Sequence, residues 1–310
     1  MPRILLLILA GLFAASSSVA QFGGRANEAV LYFFSSKGKA DFQTVPAGSS
    51  ANTATGFQIL DPLAQAVEEF GPDFPGESRR LLHKEDSDNF MMIVQREWIE
   101  SPHQQFMGAA KVLIASGMLR LLPPGKDPID APAGFFATFP QSVDFGPDIP
   151  VFQELAFLWT PSPLFPIIQR ATDGFVSPID PPGLTGEDYV VQLGKFLALT
   201  PWVALQDTYP GAGWPEGIDA KLVDQDASLG TTARVVRLRA GKTTPAFRLN
   251  ANTHVAVLSG SVQISPVNGA SATMKPFQYA FLPNNFAITL SNPVPYTGPT
   301  GIVAVGAQTK

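Results

Sequence analysis

Two periodicities divide the chain. From about Gly230 onward, short apolar runs alternate with polar residues: Ala233–Arg239, Val255–Ile264, Tyr279–Leu282, Phe286–Leu290 and Ile302–Val305, with Gly, Asn and Pro between them. Successive side chains on a strand point to opposite faces, so these runs predict short strands, and a series of them predicts a barrel or sandwich. Between Gly56 and about residue 205 the apolar spacing is helical; Phe106, Ala110, Leu113 and Ile114 share one helix face. Asp61–Pro62 predicts an N-cap and first-turn proline opening a helix from Leu63 to Phe70, and Ser101–Pro102 repeats the device before His103 to Leu122. Thr185 with Asp188 resembles a capping box ahead of Tyr189 to Leu199. Val30–Phe34 is an isolated strand-like segment near the start.

The expected fold class is therefore α+β, with a mainly helical N-terminal region over residues 21–208 and a β-barrel of jelly-roll type over 209–310. The boundary falls near Tyr209–Gly213. A weak echo links Phe70–Pro75 to Phe145–Pro150 and Lys111–Ala115 to Lys195–Leu199. Its unequal offsets favour shared turn punctuation over a duplicated helical unit.

Composition narrows the function classes. The 310 residues are 45% hydrophobic and 15% charged with net charge −5, enough for a sizeable core and without the basic run that nucleic acid or anionic lipid would need. Arg3, the apolar run Ile4–Ala15 and the small residues ending at Ala20 have the layout of a signal peptide over residues 1–20. The apolar run is shorter than the ~20 residues that span a bilayer. A secreted or periplasmic protein without a membrane span after signal cleavage is expected. Cysteine is absent, which removes disulfides, zinc–thiolate sites, thiol nucleophiles and lipid attachment at the cleavage site.

The C-terminal third carries a resemblance. Trp214–Ile218, Lys221–Val223, Arg234–Leu238 with Ala240–Gly241, and Val257–Ser261 together resemble cupins of the anti-sigma-factor ChrR type, over roughly residues 212–308. The resemblance implies a cupin-like β-barrel, often dimeric, in which His-x-His, Glu and a later His hold a metal ion. Gly241 and Gly260 match the first motif, and Pro283 and Asn292 the second. The ligand positions hold Phe247 and Leu249 for the two His, Thr253 for Glu and Ile288 for the last His, while Phe277 and Asn285 replace motif glycines. Hydrocarbon offers no donor electrons. No metal and no cofactor are expected, and Phe247, Leu249, Thr253, His254 and Ile288, with Trp214 at the barrel mouth, become the candidate ligand-binding positions. A one-residue register slip would turn Arg248 and His254 inward instead. Residues 21–208 resemble no family.

Other candidates are weaker. A mononuclear site using His254 would have to be built across domains with His83 or His103, so a surface or hydrogen-bonded strand histidine is the ordinary reading. His83–Asn89 is polar but lacks the spacing of a calcium loop and reads as solvated. Glu68, Glu69, Glu97 and Glu100 are carboxylates without a spacing that pairs them across a cleft. Two functions stay open: an exported, metal-independent module binding a small molecule or protein, or a metal-dependent cupin enzyme of oxygenase or isomerase type with an atypical site.

Overall fold

Antiparallel pairing accounts for almost all regular structure in the computed structural model, which describes residues 22, 27–46, 52, 55–70, 76–99, 104–106, 108–121, 128–141, 144–145, 148–161 and 194–293. The chain begins with β1 (Ala29–Thr44) and β2 (Gln58–Leu60). Next come β3 (Glu68–Glu69), β4 (Glu77–Glu85), β5 (Asp88–Gln95), β6 (Gln104–Gln105), β7 (Ala110–Leu121), β8 (Ile129–Pro132) and β9 (Phe135–Phe139). After β10 (Asp144–Phe145), β11 (Asp148–Thr160), β12 (Lys195–Phe196) and β13 (Val203–Ala204), a single turn of helix, α1 (Leu205–Thr208), leads onward. The remaining strands are β14 (Ile218–Asp226), β15 (Thr231–Leu238), β16 (Phe247–Ser259), β17 (Val262–Pro266), β18 (Ala272–Met274), β19 (Tyr279–Leu282) and β20 (Ile288–Ser291).

The C-terminal β-barrel expected from the cupin resemblance is present; the mainly helical N-terminal region is not. Residues 68–160 build an eight-stranded sheet, joined by β12, in the order β12-β9-β7-β11-β5-β4-β3 with β8 beside β7. The apolar run of β7 misleads because Ala110, Leu113, Ile114 and Ala115 are all buried: a strand covered on both faces loses its alternation and can mimic one helical face. The signal at Asp61–Pro62 marks a real cap. Asp61 accepts the Leu63 amide at 3.0 Å, but the turn it opens is a 3-10 turn, Pro62–Ala64, that ends after one round. The predicted leader, Ser101–Pro102, His103, the capping box at Thr185 and Asp188, and Ile302–Val305 lie outside the described residues.

The strand wiring reveals a repeat that the sequence echo misplaces. Strands β1 and β2 leave their own half of the chain: β1 inserts between β15 and β16, and β2 pairs with β19. Strands β11 and β12 make the converse move, β11 between β5 and β7, and β12 beside β9. Each half thus consists of a long strand and a short strand given to the other half, a 3-10 turn, and a set of strands that receives the other half's pair. The halves are residues 29–139 and 148–291, not units set by the Phe-Gly-Pro-Asp turns.

Both donated strands are buried on both faces. In β1, Ala29, Leu31 and Phe33 enter the core of the C-terminal barrel, while Val30, Tyr32 and Phe34 enter the core between the sheets. β16 divides likewise, Val255 and Val257 inward and Ala256 and Leu258 to the seam. Close approach of the donated strands is secured by two glycines. A Cβ on Gly117 would lie 2.2 Å from the Gln153 carbonyl oxygen of β11, and one on Gly260 would lie 2.6 Å from the carbonyl of Glu28 beside β1.

Inside the C-terminal barrel, Phe247 is 1% exposed and is ringed by Phe42 and Trp214, with centroid separations of 5.3 and 5.4 Å. Removing its ring leaves a cavity that neighbouring aromatic residues, themselves held between strands, fill poorly. Phe247→Ala is expected to lose about 3–5 kcal/mol of stability. Urea unfolding followed by tryptophan fluorescence measures this, and an unchanged midpoint would contradict the packing described.

Candidate functional site

The candidate positions taken from the cupin motifs divide between two faces of one strand. Phe247, Leu249 and Ile288 are buried in the barrel core, and Trp214 packs beside Phe42 and Tyr209 at its end. Thr253 also faces this interior, where its hydroxyl lies 2.8 Å from Ser35 Oγ and donates to the Ala251 carbonyl at 3.2 Å. The three hydrocarbon side chains carry no donor atom, and the Thr253 hydroxyl is already hydrogen-bonded. His254 points the other way, into the seam between the sheets, where it is fully buried.

There His254 joins residues from both halves. Its Nε2 lies 2.8 Å from Asp88 Oδ1, and its Nδ1 lies 2.8 Å from the Tyr279 hydroxyl. The Trp159 indole N–H donates to Asp88 Oδ1 at 2.8 Å, and the Ser36 hydroxyl donates to Asp88 Oδ2 at 2.6 Å. A carboxylate only accepts, so Nε2 carries the proton facing it, and in the neutral ring Nδ1 accepts from Tyr279. Burial raises the Asp88 pKa, but His254 and the hydrogen bonds from His254, Ser36 and Trp159 outweigh it and hold the carboxyl well below the usual range. Burial, then Asp88 and Glu85, push the Tyr279 hydroxyl well above its ordinary value. This network ties β1, β5, β11, β16 and β19 together.

The repeat supplies a counterpart. Lys111 holds in β7 the place of His254 in β16: each faces the donated strand, opposite Trp159 and Phe34 respectively, and each precedes the close-packed glycine by six residues. Lys111 donates to Asp224 at 2.9 Å, to Asp226 at 3.0 Å and to Thr138 at 3.1 Å. Asp224 and Asp226 end β14 as His83 and Glu85 end β4. One seam therefore closes on an ammonium–carboxylate cluster, and the other places histidines against carboxylates.

The histidine seam opens to solvent. A cleft of about 680 Å³ runs between β2 and β4, with Gln58, Gln65, Lys84, Glu85, Asn252 and His83 among its lining. The His83 ring stacks on Phe281 at 4.0 Å between centroids and meets His254 at 5.2 Å. Its Nε2 is buried without a hydrogen-bond partner among the described residues, since Glu85 Oε1 stands 3.4 Å away outside hydrogen-bond geometry. Burial foremost, then His254 and Lys37, lower the His83 pKa to about 4, against the upward pull of Asp88.

Sequence reasoning noted His83 and His254 but not Asp88, Tyr279, Trp159 or Ser36 as their company. The segment expected to be a solvated loop is a hairpin whose Asp88 is fully buried. Glu68 is exposed and ion-paired with Arg79 at 2.8 Å; Glu97 is exposed, and Glu100 and His103 lie outside the described residues.

No protein-family profile and no curated protein matches the sequence. Among solved structures, a putative dioxygenase from Nostoc punctiforme aligns with 13% identity, a TM-score of 0.45, and 76% of this chain against 79% of its own. An oxalate decarboxylase from B. subtilis aligns with 10% identity, a TM-score of 0.44, and 80% of this chain against 76% of its own. A cupin 2 conserved barrel domain protein from Leptotrichia buccalis aligns with 9% identity, a TM-score of 0.40, and 71% of this chain against 84% of its own. These are likenesses of overall shape. They transfer no substrate, metal or reaction, and none singles out the ChrR type.

The lowered His83 pKa sets an acid sensitivity. The folded protein binds this proton less readily than the unfolded chain, so the stability is fully present above about 6.5 and is lost as pH falls toward 4. At about 1.4 kcal/mol per pH unit the loss reaches roughly 3 kcal/mol. The contribution of Asp88, whose pKa is lowered from 3.8, is withdrawn only at more acid pH. Chemical unfolding at pH 7, 5.5 and 4.5 is expected to show a falling midpoint in the native sequence and a flatter profile in His83→Gln. Parallel profiles would contradict the assignment.

Proposed function

We propose that the protein is an exported small-molecule-binding module, and that its ligand occupies the cleft between the two sheets rather than a barrel interior. The observation that carries this reading is the pairing of a barrel core packed with hydrocarbon at Phe247, Leu249 and Ile288 with a polar cleft of about 680 Å³ beside it. Ligand pockets of this kind commonly occupy a few hundred cubic ångströms with a few convergent polar groups. Three carboxamides, Gln58, Gln65 and Asn252, each offer a donor and an acceptor, and Lys84 and Glu85 bring opposite charges. Such a lining suits the hydroxyl groups of a small polyol or sugar, each of which also donates and accepts.

Export rests on the signal-peptide layout of residues 1–20. Phe22, two places beyond Ala20, is buried, and its carbonyl accepts from Lys221 Nζ at 3.3 Å. A chain trimmed after Ala20 keeps that anchor.

The test is saturation-transfer NMR of the mature protein against a panel of polyols, neutral sugars and dicarboxylates at millimolar concentration. Binding of a polyol or sugar is expected, weakened at least about tenfold by Gln58→Ala or Asn252→Ala, because each leaves a ligand hydroxyl unpaired. A panel that shows no transfer, or binding indifferent to both substitutions, would overturn the cleft as the ligand site.

A further inference from the structure

We propose that His83, Glu85 and Asp88 bind one divalent transition-metal ion at the floor of the cleft, outside the barrel interior where the cupin motifs would place one. Their donor atoms lie within 4.8 Å of one another. Neighbouring donors each about 2.1 Å from one ion stand about 3.0–3.4 Å apart in tetrahedral or octahedral geometry, so the widest pair closes by up to about 1.5 Å when the ion binds. Glu85 Oε1 already stands 3.4 Å from His83 Nε2, and its side chain, 45% exposed, has room to turn.

The backbone brings these donors together. Glu85 and Asp88 face each other across the β4–β5 hairpin, and His83 lies two residues before Glu85 on the same strand. His83 Nε2 is the independent sign of a missing partner: its side chain is only 10% exposed, and the nitrogen has no hydrogen bond among the described residues. Asp88 is already oriented by His254, Trp159 and Ser36, as metal-binding carboxylates are by their outer partners. Its Oδ2 takes one of those hydrogen bonds and keeps a lone pair.

Comparison with the other seam gives a second argument. There Lys111 and Lys195 stand against Asp224 and Asp226, two ammonium groups for two carboxylates. Here the two carboxylates meet imidazoles, Asp88 at His254 and Glu85 at His83. A divalent cation supplies the charge that the lysines supply opposite. One imidazole and two carboxylates suit zinc, manganese or ferrous ions, and three protein donors leave positions open toward the cleft. The metal site does not require an organic ligand, so a polyol that fails to bind leaves it standing, and the converse holds too.

Untagged mature protein, stripped with chelator and dialysed, is titrated with Zn²⁺ by calorimetry and with Co²⁺ by visible absorption. One equivalent is expected to bind with an affinity in the micromolar range or tighter and to give a cobalt d–d spectrum of mixed nitrogen and oxygen ligation. Glu85→Gln, at a half-exposed position that leaves the core intact, is expected to weaken binding at least about tenfold, as is His83→Gln. Asp226→Asn, in the lysine seam, is expected to leave it unchanged. The absence of saturable binding overturns the proposal, and so does binding in Glu85→Gln as tight as in the native sequence.

Discussion

Burial of the donated strands on both faces is the constraint from which the other features follow. β1 places Phe33 in the barrel and Phe34 in the seam, and all of Glu154–Thr160 in β11 is buried. A strand enclosed in this way has no solvent-facing side on which to put polar side chains. Each polar group carried into the seam must find its partner there, because an unpaired buried charge costs several kcal/mol. Asp88, His254, Lys111 and Asp224 therefore appear as networks, each closed by residues from both halves.

The same enclosure governs what the sequence discloses. The strands of the C-terminal third are legible because Gly, Asn and Pro separate them and because β16 at Phe247–Leu249 keeps its alternation, with Arg248 exposed between two buried neighbours. Those residues also show, through the motif spacing, that hydrocarbon stands where the resembled family places ligands. In the N-terminal half, Val112–Ala115 and Phe90–Val94 have apolar residues at consecutive positions, and no periodicity separates a doubly buried strand from a helix. Local turn chemistry was correct at Asp61 without revealing how far the turn would continue.

The site was legible only as single residues. His254 and Asp88 are far apart in the chain and meet because β16 and β5 belong to opposite sheets locked by β1 and β11. Alternation along β16 settles which face His254 takes once Phe247 and Leu249 are known to point inward. What lies on that face depends on strand exchange between halves, and a nonlocal wiring of this kind leaves no trace in local spacing. The Phe-Gly-Pro-Asp echo marks turns, whereas the repeat is carried by pairing partners and by the glycines at Gly117 and Gly260.

The two seams start from one architecture and end in different chemistry because their central side chains differ in reach and charge. Lys111 is a fixed cation with three donors, and Asp224, Asp226 and Thr138 use all three, so that seam has nothing left to offer a ligand. His254 has two ring positions, both used by Asp88 and Tyr279, and it therefore cannot also serve His83. Among the described residues, His83 Nε2 beside the cleft is left without a hydrogen bond. Where the ammonium group of Lys111 spends every donor, the imidazole of His254 leaves this neighbouring nitrogen without a partner among the described residues.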